Sequence, residues 1–251
     1  MFQNSPQHTE PRVHQARFGG TFIVLAALAC WALAGVPSPL SAQGVTVDEG
    51  TFTLYLDGRE IGTESFAIRR SGEGTEAQII ATAEIQMEVP EGRLDLRPAL
   101  QAAGEGMEVT AYQIRISGHQ QEEIFVTLGD RRFRTSVRSE RGEQEREYRA
   151  TPGTVLLDTG VAHQYFFISS RVESSGARIP VLIPREGTQF ELQVSVVGTE
   201  RIQIGGTSVE ARHLRLEGRG ETRDLWVDGE NRVLRLEYPS GGYVAERQEL
   251  P

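Results

Sequence analysis

From Ala77 to Val89 the odd positions read Ala, Ile, Ala, Ala, Ile, Met, Val, while the even positions are polar except Ile80. A two-residue repeat of this length belongs to a strand with one face on a core and the other in water. The same alternation recurs in Phe52, Leu54, Leu56, in Ile124, Val126, Leu128, and in Phe190, Leu192, Val194, Val196. Turn signals separate these runs: Asp57-Gly58, Gly129-Asp130, Gly205-Gly206, Asp228-Gly229 and Gly241-Gly242. Short connections join adjacent antiparallel strands, whereas parallel strands need long crossovers. The expected fold is therefore mainly β, a dozen or so strands in one large curved antiparallel sheet, a half-barrel or open barrel. On this reading Ile79, Ile85 and Met87 point inward, to packed core or ligand hollow, and Gln78, Glu84 and Gln86 face water.

One segment breaks the rhythm. After Pro152-Gly153, the residues Val161, Ala162, Tyr165, Phe166, Ile168 and Val172 fall three to four apart, and Gly176 follows as a stop. This spacing predicts one short central helix from Thr159 to Val172, plugging or flanking the sheet, with Tyr165 and Phe166 on its apolar side. No Pro- or Ser-rich linker, low-complexity tract or internal repeat divides the chain, so residues 44–251 are expected to form a single domain.

The apolar block Thr21 to Ala34 is too short to span a membrane and is followed by Pro37, Pro39 and Ser41-Ala42-Gln43. Residues 1–43 read as a signal peptide cut before Gly44, which makes the working protein exported, periplasmic or extracellular, with no membrane span after cleavage. Cys30 sits inside the block; the residue three before it is Ala27, not the usual aliphatic residue of a lipidation site, so Cys30 reads as part of the leader core. Cleavage then leaves 208 of 251 residues with no Cys, and stability must come from a core rather than from disulfides.

All 26 basic residues are Arg, and the net charge is −9, or −10 once Glu10, Arg12 and Arg17 leave with the leader. An acidic surface argues against nucleic acid and anionic membranes as partners. The arginines between Arg131 and Arg149 do not reverse this, because Glu140, Glu143, Glu145 and Glu147 are interleaved with them. They read as a solvated outer face with cross-strand ion pairs.

The sharpest chemical signal is Val155-Leu156-Leu157-Asp158-Thr159-Gly160. It resembles the apolar strand and Asp-Thr-Gly loop of aspartic peptidases, in which two aspartates share a proton. The chain has one such motif, so a peptidase would need a homodimer with Asp158 as the catalytic carboxylate and Thr159 and Gly160 holding its loop. The simpler reading makes Asp158 the cap of the following helix. His119, His163 and His213 stand in different elements without ligand spacing, and no Gly-x-Ser-x-Gly elbow, phosphate loop or dinucleotide motif is present. Neither catalytic residues, nor a metal, nor a cofactor is expected.

Several motifs in order carry a resemblance: Leu56-Asp57-Gly58-Arg59-Glu60-Ile61-Gly62-Thr63-Glu64-Ser65-Phe66, then Val155 to Asp158 with His163, Ile179-Pro180-Val181-Leu182-Ile183-Pro184, and Leu225-Trp226-Val227-Asp228 followed by Arg232-Val233-Leu234-Arg235. The chain resembles secreted bacterial proteins of domain-of-unknown-function families, which are similar to the cell-envelope half-barrels of the lipoprotein carriers LolA and LolB. The resemblance implies a curved antiparallel sheet around a helix and no established activity. It frames the functional expectation: a noncatalytic envelope protein holding an apolar or lipid-like small molecule in the hollow of its sheet. The alternative is a scaffold module with a filled core that engages an envelope protein.

Overall fold

The computed structural model describes residues 44–251; the expected leader, Cys30 included, lies outside them. Eight strands follow one another as a meander: β1 (Val45–Leu56), β2 (Arg59–Ser71), β3 (Gln78–Val89), β4 (Gly92–Ala103), β5 (Glu108–Gly118), β6 (Glu122–Gly129), β7 (Arg132–Ser139) and β8 (Gly142–Arg149). An irregular segment then carries the two-residue strand β9 (Val155–Leu156), a 3-10 turn (His163–Tyr165) and one turn of helix α1 (Phe166–Ser169). Six more strands complete the fold: β10 (Ala177–Ile183), β11 (Thr188–Ile204), β12 (Thr207–Gly218), β13 (Glu221–Val227), β14 (Val233–Tyr238) and β15 (Tyr243–Arg247).

All fifteen belong to one sheet in the order β8-β7-β6-β5-β4-β3-β2-β1-β15-β14-β13-β12-β11-β10-β9. The sheet is mainly antiparallel, is not closed into a barrel, and pairs in parallel only at β9–β10. The chain thus walks outward from β1 to β8, passes through residues 150–176, and walks back from β10 until β15 pairs with β1. This central ladder matches Phe52 with Arg247 and Leu54 with Ala245.

The alternation read in β3 holds in space: Ile79, Ala81, Ala83, Ile85 and Met87 are buried, and Gln78, Glu84 and Gln86 are exposed. Inward residues from both halves of the sheet form one core cluster with the segment between β8 and β10. That segment fills the concave side, and from Thr154 to Ser169 only Thr159 and Gly160 escape burial. We call it the plug.

The helix expected over Thr159 to Val172 is shorter than its spacing suggested. Regular helix is confined to Phe166–Ser169, preceded by the 3-10 turn. Apolar residues three to four apart mark a helix with one wet face, but here Val161 through Ser169 are buried on all sides. Packing against strands on every side, rather than one amphipathic face, sets the path of the backbone. The free edge at β8 is blunted by charge, with every residue but Tyr148 exposed and Arg134–Glu147 and Arg138–Glu143 pairing across β7 and β8.

Candidate functional site: a buried polar spine beside a hollow

A buried loop must find partners for its backbone groups, and the plug finds them on both halves of the sheet. Glu64, on β2, shares its parity with Phe66 and Ile68 and so points inward, fully buried. Its Oε2 accepts from the Ala162 N–H (2.7 Å) and its Oε1 from the His163 N–H (2.8 Å). The His163 Nδ1 lies 2.6 Å from the same Oε1. A carboxylate almost a hundred residues away thus caps the first helical turn. The His163 ring stacks on Phe66 at 5.7 Å, and Phe66 stacks on Phe52 at 5.1 Å. Arg247 lies over both phenylalanine rings and donates to Asp48 Oδ1 at 2.6 Å.

The plug is anchored elsewhere too. Glu108 accepts from the Gly153 N–H (2.9 Å), Arg171 donates to the carbonyls of Gly106 and Met107, and Arg212 to that of Val172. Ser169 Oγ donates to the Asn231 carbonyl at 2.7 Å.

Asp158 does not cap the helix, which corrects the sequence reading. The helical turn begins at His163, and the Asp158 side chain is turned to the sheet. Its Oδ2 accepts from the Tyr112 hydroxyl (2.9 Å), and its Oδ1 accepts from the Thr159 N–H (2.8 Å) and lies 2.8 Å from Arg185 Nη2. Its own N–H donates to Gln164 Oε1 at 2.7 Å. Burial pushes the Asp158 carboxyl above the usual carboxylate range, with Arg185, Tyr112 and the Thr159 N–H pulling the other way. Burial likewise holds the Tyr112 hydroxyl well above the usual tyrosine value, and the Asp158 charge adds to it. Both oxygens of Asp158 are occupied and its side chain is fully buried.

A hollow of about 310 Å³ lies beside this loop. Its walls come from strand ends at a single rim, near the β1–β2, β3–β4, β10–β11, β12–β13 and β14–β15 turns, and from the plug between Leu157 and Val161. Aliphatic side chains dominate, among them Leu56, Ile61, Met87, Val89, Leu94 and Leu236. Of the residues singled out from sequence, Met87 and Tyr165 line this hollow along with Asp158, Thr159 and Gly160. Ile79, Ile85 and Phe166 are buried in the common core and are not among its walls.

The three described histidines stay apart. His119 reaches the Arg93 carbonyl, His163 meets Glu64, and His213 has Glu200 on its Nδ1 side and Asp224 on its Nε2 side. Carboxylates on opposite edges of one ring cannot close around one ion with it, and no cluster of three metal-type ligands occurs among the described residues. Sequence reading missed Glu64, Tyr112 and Arg185. A signal for Glu64 was present, a carboxylate at an inward position of an alternating strand; nothing local pairs Tyr112 or Arg185 with Asp158, 46 and 27 positions away. Comparison of the chain with protein-family models, with curated proteins and with solved structures finds no match.

Proposed function

We propose that the protein is a noncatalytic exported protein of the cell envelope that holds a small apolar or amphiphilic molecule at the rim of its sheet. The observation that carries this reading is the hollow of about 310 Å³ walled by aliphatic side chains from both halves of the sheet and from the plug. Apolar, concave, preformed spaces with few polar groups are where small molecules bind. The motif resemblance to half-barrel carriers points the same way. The occupied, enclosed oxygens of Asp158 weigh against a peptidase, which needs that carboxylate free to meet water and a second aspartate.

A second reading, a scaffold module, draws on the plug, which fills the rest of the concave side. The two separate on uptake of an uncharged fluorophore such as N-phenyl-1-naphthylamine. The carrier reading expects saturable, blue-shifted fluorescence that is lost in Leu94→Trp, a substitution that fills the hollow from its wall, with the melting temperature retained. Absence of uptake by the wild type, or unchanged uptake by a folded Leu94→Trp variant, rejects it. Native mass spectrometry of the protein from its own source would then identify the natural occupant.

A further inference from the structure

Resting on the reading of the rim hollow as a binding site, we infer that its ligand is a single compact molecule with no net charge. Five ionisable acidic or basic residues line the hollow: Asp158, Arg185, Glu186, Glu221 and Arg223. Each already has an opposite charge, although Arg185 Nε and Nη2 and the Tyr243 hydroxyl, buried in lining residues, make no hydrogen bond and leave a place for a neutral acceptor rather than for a second charge. Asp158 holds Arg185 at 2.8 Å, Glu186 holds Arg219 at 2.7 Å, and Glu221 holds Arg223 at 3.1 Å. The Arg223 guanidinium also lies 4.7 Å from the centre of the Tyr238 ring, covering an aromatic face that would attract a cation.

An anionic headgroup entering here would compete with a carboxylate for either arginine. Taking Arg185 away would leave the Asp158 side chain, fully buried, without its counter-charge, and removing one partner of a buried pair is strongly unfavourable. A cationic headgroup would have to displace an arginine from Glu186 or Glu221. The walls therefore reject either sign and leave the aliphatic surface of Leu56, Ile61, Met87, Val89, Leu94 and Leu236 to supply affinity through burial. Size narrows the class further. About 310 Å³ sits at the low end of the roughly 300–1,000 Å³ usual for small-molecule sites. It suits one aromatic or branched hydrocarbon body rather than several acyl chains.

Two probes with nearly the same aromatic body test this: uncharged N-phenyl-1-naphthylamine and anionic 1-anilinonaphthalene-8-sulfonate. The full chain should bind the uncharged probe at least about tenfold more tightly, with an affinity unchanged by added salt, as expected where no charge is neutralised. Glu221→Gln frees Arg223, whose side chain is 11% exposed, and Asp158→Asn frees Arg185. Either variant should gain several-fold in affinity for the sulfonate relative to its affinity for the uncharged probe. Equal or tighter sulfonate binding by the wild type, or no gain in a folded Glu221→Gln variant, overturns the inference while leaving the hollow as a binding site. Failure of both probes to bind overturns the binding site itself.

Discussion

Asp158 shows how burial and pairing compete at one side chain. Its carboxyl is raised because the loss of water outweighs Arg185, Tyr112 and the Thr159 N–H together. A carboxyl whose folded pKa exceeds its unfolded value favours folding most when it is neutral. Its contribution is full below the ordinary carboxylate range and is lost as pH rises through the raised folded value. Asn has the shape of the neutral form and does not titrate. The stability cost of Asp158→Asn should therefore be larger near pH 3 than near pH 7 (about 3 and about 7 bracket the ordinary Asp value). Paired denaturation curves at the two pH values check the sign, and a cost that grows with pH would show that the ion pair dominates. The Ile61-Gly62-Thr63-Glu64 step also acquires a physical meaning at this scale. Gly62 is needed because a Cβ there would lie 1.8 Å from the Gln86 carbonyl oxygen on β3, and Glu64 is the remote cap of the plug.

Among the elements, the strands were legible and the plug was not. Alternation in β3 and the turn signals at Asp57-Gly58 and Gly205-Gly206 are local properties, and they placed strand faces and hairpins correctly. The plug takes its shape from distant groups, so its short-range pattern misled: three-to-four spacing suggested fourteen helical residues where packing allows one helical turn after a 3-10 turn. The Asp158 reading failed for the same reason, since its partners lie on β5 and just after β10. Because Glu64 satisfies two plug N–H groups and His163 together, Glu64→Ala should destabilise by roughly 3–5 kcal/mol, as when one member of a buried charged network is removed. Glu64→Gln, which keeps an acceptor, should cost less. Chemical denaturation of both variants tests the order, and hydrogen exchange should show the Ala162 and His163 amides losing protection first in Glu64→Ala.

At the level of the whole molecule, the last strand is central rather than peripheral. β15 lies between β1 and β14, and Arg247 brings a buried guanidinium to Asp48 and to the Phe52 and Phe66 rings. Removing residues 243–251 would open two edges in mid-sheet, at Phe52–Leu56 and Arg235–Tyr238, and leave Asp48 buried without its partner. Such a truncated chain should fail to give a cooperative melt and should aggregate, whereas removing only Leu250 and Pro251, which are exposed and lie past the strand, should leave melting unchanged. A cooperative transition in the longer deletion would refute the central role of β15.

The same pairing sets an order in time. About 190 residues separate the end of β1 from the end of β15, and a ribosome adding about 5–20 residues per second needs roughly 10 to 40 s to make them. Through that interval hairpins of the first half can form, since each closes only a short loop, while β1 waits with an unsatisfied row of N–H and C=O groups. That edge, at Phe52–Leu56 where β15 later pairs, is the stretch of the incomplete sheet most open to wrong pairing.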